Sequence, residues 1–542
     1  MNRLKLKISK YDVIVLCIGL YLLLSRIGVN AFGIKEHGSD VAFLFNRVEQ
    51  LRQIILDGKF FQGFFYNDFQ GAGYGSSFFY GYLTLLPFTL IKSYDVFCKV
   101  YFLVTFILLY LGTKCLVKRF AKNYEFISFL YVTSFQLIFV WLGSTLYCNL
   151  MGLGISLFFL AYVIDFARDN KSHIPASFCF WLVLNTHMIS TLLAFISCIF
   201  ILLYYFKKER LKDYIRFAVT TTIFCSFYIA NFIYHMQGGV LNTSSGYEFF
   251  LVSDSATNFL GTSKLLGLEG AVLNSLLEKR FLTLSPLIWI PGLIYLIKKQ
   301  KKTKKIYITL SICLIGMILN IGVIWFELYK QFAIVIQFPL RYMAYIVLVI
   351  LILCFRNIDM SKLVKRLFII ISCIYCIVLP WGIVSEDEPL VKPNWQVSNG
   401  EYLHKDFVDN TEVFNDLRTH VYDNDKNSYE YTVNKGVVTV KIDKPVPEGK
   451  LLIPKIWYKG YCAYTSEGEV LKCRMGYSQF VLVEVGDYTG EIQVQFRQSY
   501  FLIVLSGLVF AYIIDNLWNY IKDTFTKNKD ACYNNINKLE RK

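Results

Sequence analysis

Long apolar runs punctuate the chain at about 11–30, 96–117, 124–142, 147–167, 174–206, 215–236, 284–298, 306–326, 340–356, 366–385 and 499–521. Roughly 20 apolar residues is what a helix needs to cross the hydrocarbon of a bilayer, and only a helix or a closed barrel satisfies its own backbone there. The run at 174–206 is too long for one crossing, and "RDNK" and "KKER" flank it, so it reads as a hairpin of two short helices with "NTHMIST" at the tip. The total is then about twelve spans. The run "FFYGYLTLLPFTLI", 78–91, is short and carries Pro87 near its centre. Counting it as a crossing would turn Lys118, Arg119 and Lys122 outward, so it is expected to be a half-inserted or surface-lying helix.

The hydrophobic period changes after residue 385. Residues 386–498 are polar, with alternating segments such as "YTVNKGVVTVKI" and "GEIQVQF" separated by turn signals such as "PEGK" and "GDYTG". That pattern predicts antiparallel strands, hence a small external β domain over 386–498. A final transmembrane helix and a basic cytoplasmic tail follow over 499–542. The expected fold is a polytopic α-helical membrane protein with that β domain attached.

Composition agrees. Charged residues are 18% of the 542, against roughly 25% in ordinary soluble chains, and the mean hydropathy is +0.44. The net charge of +16 gathers in clusters beside apolar runs, among them "KKERLK" at 207–212, "KKQKKTKK" at 298–305 and "KLVKR" at 362–366. Lys and Arg favour cytoplasmic loops, which predicts a multi-pass protein of the cell membrane with both termini cytoplasmic. Residues 31–95 and 237–283 are then external loops of a membrane domain spanning 1–385. Basic clusters spaced by spans argue against a nucleic-acid partner and for membrane lipids. The first run has a basic flank but no small-residue cleavage site, so it is read as an anchor. Twelve of the fourteen cysteines lie in or beside apolar runs or in the tail; Cys462 and Cys473 fall in the polar region and would bridge only outside the cell.

The first external loop carries the candidate chemistry. Within 40–57, Val41, Leu44, Phe45, Val48, Leu51 and Ile55 recur at helical spacing, and this predicts an amphipathic helix with one face in lipid. Asp40 heads it, either as an N-cap or as a functional carboxylate. Arg47 stands two turns on. Downstream, "FFYNDFQGAGYGSSFFYGY", 64–82, mixes aromatics and glycines with one carboxylate, Asp68. Aromatic faces suit sugar rings and isoprenoid tails, but they also suit an interfacial aromatic belt.

Taken together, Asp40, Arg47, the aromatic-glycine stretch and "FFYGYL" resemble the first external loop of the GT-C superfamily of glycosyltransferases. The resemblance is closest to bacterial YfhO-like and 6-pyruvoyl-tetrahydropterin-synthase-related membrane proteins. It continues in "NTHMISTLL" at 185–193, in "IQFPLRYM" at 336–343 and in "WYKGYCAYTSEGEVLKC" at 457–473. It implies transfer of a sugar from a polyprenyl-phosphate-linked donor to an envelope polymer or glycolipid acceptor at the outer membrane surface. The residues it implies are Asp40 as the base, Arg341, Arg47, His187 and Gln337 around the donor phosphate, and Asp68, Tyr74 and Asn149 near sugar or acceptor. Where many relatives carry an acidic residue, this chain has Asn149, so either the second carboxylate comes from elsewhere, such as Asp68, or metal assistance is not used; the cofactor stays open, with a divalent metal possible. Each residue also has a structural reading: Arg341 as a snorkelling anchor, Arg47 as a partner of Glu49 or of lipid headgroups, His187 as a satisfied polar group. Two other functions stay open, a transporter or flippase of lipid-linked intermediates and a non-catalytic assembly factor on the same scaffold.

Overall fold

The computed structural model describes residues 8–24, 40–134, 147–237, 361–378 and 411–540, with a few single positions between 345 and 407. In chain order its helices are α1 (Lys10–Leu24), α2 (Asp40–Leu56), α3 (Ser76–Phe79), α4 (Tyr94–Val117), α5 (Tyr124–Ser134) and α6 (Tyr147–Asp169). There follow α7 (Ile174–Leu184), α8 (Met188–Tyr204), α9 (Leu211–Met236), α10 (Lys362–Val378), α11 (Thr411–Leu417) and α12 (Tyr500–Glu540). Among the described residues, four helical stretches are long and apolar enough to cross a membrane: Tyr94–Val117, Leu150–Asp169, Lys208–Met236 and Tyr500–Thr526. The 174–206 run does break into a hairpin, α7 and α8, at Asn185–His187. The runs at 284–298 and 306–326 lie outside the described residues, as does most of 340–356.

Helices α4 and α6 approach closely because glycines meet at their crossing. A Cβ on Gly112 would run into the carbonyl of Gly154, and one on Gly154 would lie 2.8 Å from the Leu109 amide nitrogen. Small residues let helix backbones come within van der Waals contact. Gly112→Ala is therefore expected to destabilise the purified protein by about 2–3 kcal/mol, read as a lowered melting temperature. Gly507→Ala, where a methyl would meet open space, should leave it unchanged.

The helix ends differ in chemistry. At one end Arg119 grips Asp165 with Nε and Nη2 at 2.9 and 2.6 Å, and Lys171 approaches the same carboxylate at 3.1 Å. Arg210 donates to the carbonyls of Phe166 and Ala167, satisfying the last turn of α6. At the other end lie the 57–91 segment, the α7–α8 tip and the strands.

Among the described residues nine antiparallel strands follow: β1 (Val421–Tyr422), β2 (Ser428–Tyr429), β3 (Tyr431–Asn434), β4 (Val437–Ile442), β5 (Lys450–Ile456), β6 (Tyr461–Thr465), β7 (Val470–Met475), β8 (Phe480–Glu484) and β9 (Gly490–Phe496). Their order is β2-β1-β5-β8-β7-β6-β9-β4-β3. Only Glu430 separates β2 from β3, so the two ends of that order are halves of one strand and the sheet nearly closes on itself. Alternate residues point inward, and Val438, Val440, Leu451, Ile453, Val481, Val483, Ile492 and Val494 are fully buried. Lys435 and Gly436, at φ 47° and 77°, make the two-residue turn between β3 and β4 that right-twisted hairpins favour.

Two expectations for the first loop change. The 78–91 segment is not one continuous helix: it covers the end of α3 and a 3-10 helix, Leu83–Leu90, whose Leu83, Leu85 and Phe88 are buried while Leu90 is exposed. It packs beneath α2, where Arg52 holds the Thr89 and Ile91 carbonyls. Leu44, Phe45, Val48, Leu51 and Ile54 are buried inside the protein, and among the described side chains of that apolar face Ile55 and Leu56, at its end, are open.

Candidate functional site

Arg47 is the centre of the described site. Its side chain, on the third turn of α2, is 1% exposed. One nitrogen, Nη2, donates to the carbonyls of Tyr80 and Gly81 at 2.7 and 2.8 Å, while Nε has no hydrogen-bond partner. The rings of Phe43 and Tyr80 flank the guanidinium at 5.4 and 5.1 Å. Among the described residues no carboxylate pairs with it, Glu49 included. Arg52, further along α2, holds the carbonyls of Thr89 and Ile91, so two guanidinium groups fasten this helix to the segment beneath it. A buried cation served only by dipoles and ring faces is costly unless an anion completes it.

The 79–81 backbone is a junction. Tyr228 of α9 donates its hydroxyl to the Phe79 carbonyl at 2.6 Å. Gly81 lies so close to Asn185 of the α7–α8 tip that a Cβ would collide with the Asn185 backbone, and Thr84 Oγ1 donates to the Asn185 carbonyl at 3.0 Å. His187 follows at that tip, its ring 6.2 Å from that of Tyr80. It is also the N-cap of α8: Nδ1 accepts from the Ser190 amide at 3.1 Å and lies 2.9 Å from Ser190 Oγ. Gly152 of α6 packs against His187 and Ser190, and Asn149 lies one turn before it on α6. Arg47, His187 and the start of α6 are thus brought to one region from three distant stretches of sequence.

Asp68 sits on the opposite flank of α2. It is 2% exposed, and its Oδ1 accepts from Asn46 Nδ2 at 2.5 Å and from the Phe69 amide at 2.7 Å. Because Asn46 and Arg47 are adjacent, one turn of α2 engages both the Asp68 turn and the 80–81 backbone. Tyr74 is buried at 1%, in the aromatic cluster of Phe64, Phe65, Phe69 and Phe78. These aromatics are a core rather than a belt at an interface. Phe64 stacks on Phe496 at 4.4 Å, Phe69 stacks on Phe414 at 4.4 Å, and Tyr458 presses on Gly75. Phe78 stacks on His235 at 3.6 Å. The β domain therefore shares its core with the loop.

Of the other expected residues, Asp40 is the first residue of α2 and Asn149 lies in α6, with side chains outside the described set. Arg341 and Gln337 also lie outside the described residues. Among the described residues no group of three His, Cys, Asp or Glu side chains gathers as a metal set. Cys462 and Cys473 are free thiols. Ala463 pairs with Leu471 and Tyr464 with Val470, and continuing that register sets Tyr461 opposite Cys473, so Cys462 points to the other face.

Sequence reasoning missed Asn46 and Lys455. Lys455 is 2% exposed, and its Nζ donates to the carbonyls of Tyr66, at 3.3 Å, and Gly71. The available signal was a lone Lys inside "LLIPKI", an otherwise apolar strand. Burial pushes this ammonium down to about 8 from its ordinary 10.5. Between those two pH values the unfolded chain binds a proton that the folded chain has lost, so stability rises with pH through that window. The penalty, on the order of 3 kcal/mol, is fully present below pH 8. Denaturation of the wild type against Lys455→Met should show the two stability curves converging or crossing from pH 8 to 10.5, with the rising slope absent from the variant.

No family model matches this chain, and no curated protein or solved structure matches it.

Proposed function

We propose that the protein is a polytopic membrane transferase with a GT-C-like scaffold of about twelve spans, acting at the outer surface of the cell membrane. It moves a sugar from a polyprenyl-phosphate-linked donor to an envelope polymer or glycolipid. The observation that carries the reading is Arg47: a buried guanidinium with a free Nε, aromatic flanks and no carboxylate partner among the described residues. A phosphate with an isoprenoid tail has the complementary chemistry, an anionic head for the guanidinium and an apolar chain for the lipid around the helices.

The chemistry follows from those roles. The acceptor hydroxyl oxygen attacks the anomeric carbon of the sugar while the bond from that carbon to the phosphate oxygen breaks. The proton passes to the Asp40 carboxylate, and the polyprenyl phosphate departs with its charge against Arg47. Seven residues of α2 separate the two side chains, about 10 Å along the axis, room for one sugar ring between base and phosphate.

One second reading has a specific observation behind it. Arg47 already holds the 80–81 backbone and His187 already caps α8, so both serve the fold, as they would in a non-catalytic assembly factor. Complementation of a deletion strain separates the two. With a transferase, envelope glycan lost on deletion returns with the wild type and not with Asp40→Asn, although the variant protein accumulates normally. Full restoration by Asp40→Asn contradicts the base, and an unchanged glycan profile on deletion contradicts the transferase.

A further inference from the structure

The β domain supplies a charged group to the site. Lys455, at the end of β5, enters the turn that carries Asp68 and donates to the Tyr66 and Gly71 carbonyls; the next residue, Ile456, donates its amide to the Ala72 carbonyl at 2.8 Å. Within the turn, Phe69 and Gln70 take φ of 54° and 56°, a left-handed region that residues with side chains rarely adopt, and Gly71 and Gly73 follow at 89° and 85°. Such a turn persists only when its surroundings over-determine it. Asn46 fixes the Asp68 carboxylate, Phe414 stacks on Phe69, and the ammonium fills the space between carbonyls that would otherwise be buried without a donor. Among the described residues no carboxylate neutralises Lys455, so an ion pair does not explain its burial.

We infer that Lys455 is a positioning residue of the site: its ammonium, delivered by the β domain, holds the 66–71 turn in the left-handed form that presents Asp68 to α2. The assignment rests on Asp68 as a sugar or acceptor contact for its functional meaning, but its geometry is tested without any substrate. Amide hydrogen exchange of the full chain in detergent is compared for the wild type, Lys455→Met, Lys455→Gln and Lys455→Arg. The Met and Gln variants should exchange at least tenfold faster in residues 65–73 while α4 and α6 keep wild-type protection, and Arg, which restores a cation, should recover most of the difference. Gln serves where the Met variant does not accumulate, because it is polar enough to be tolerated but uncharged and one atom too short to reach both carbonyls. Wild-type protection of 65–73 in the Gln variant, an equal loss of protection throughout the chain, or failure of Arg to rescue overturns the assignment. Because no donor or acceptor is present, this result stands whether or not the transfer reaction holds.

Discussion

Gly81→Ala is expected to be strongly damaging. The new Cβ would meet the Cα, carbonyl carbon and carbonyl oxygen of Asn185, all backbone, so no side-chain rotation relieves the collision. Either the 80–81 backbone or the α7–α8 tip must move, at a cost of about 3 kcal/mol or more. Moving the former strips Arg47 of its two carbonyl acceptors; moving the latter displaces His187. The variant should show a melting temperature lowered by several degrees and loss of complementation together. Gly71→Ala is an instructive comparison, since it faces open space but has φ of 89°, and it should cost only the backbone strain of about 1 kcal/mol.

Arg47→Met should separate fold from function. It removes the buried charge and leaves the Tyr80 and Gly81 carbonyls without that donor, a loss of about 1–3 kcal/mol for each acceptor left unserved, partly offset by relief of the desolvated cation. Stability measured by thermal unfolding should therefore fall modestly. On the transferase reading proposed above, transfer should fall by about 100-fold or more, since a group placed against the developing phosphate charge acts mainly in the transition state. Arg47→Lys should recover part of the rate, because a point charge reaches the phosphate but does not span two carbonyls as well.

How much of this was legible in the sequence depends on range. Helix positions follow from local hydropathy, and the 185–187 break follows from run length and flanking charge. The strands β3, β4 and β9 follow from the alternation in "YTVNKGVVTVKI" and "GEIQVQF". What brings β2 and β3 to the two ends of one nearly closed sheet is long-range pairing, which no local period encodes. The apolar face of α2 was visible in its spacing, but what covers it was not: the covering residues Leu83, Leu85 and Phe88 come from a segment whose own composition suits lipid equally well. Arg47 was legible as a candidate cation two turns after Asp40. Its acceptors were not, because backbone carbonyls carry no sequence signature, and the same holds for Lys455, whose acceptor carbonyls lie nearly 400 positions away in the chain. Asp68 drew notice as the one carboxylate in an aromatic-glycine stretch, yet its engagement by Asn46 depends on α2 folding back over the turn.

Native mass spectrometry of the purified full-length protein tests the proposed phosphate site most directly, with a polyprenyl phosphate and the uncharged polyprenol of the same length offered in turn to the wild type and to Arg47→Met. If a lipid-linked phosphate lies against Arg47, the wild type retains the phosphate at least tenfold more tightly than the alcohol, and Arg47→Met loses that preference while still retaining both through the tail. Equal retention of phosphate and alcohol by the wild type, or an undiminished phosphate preference in Arg47→Met, would contradict it.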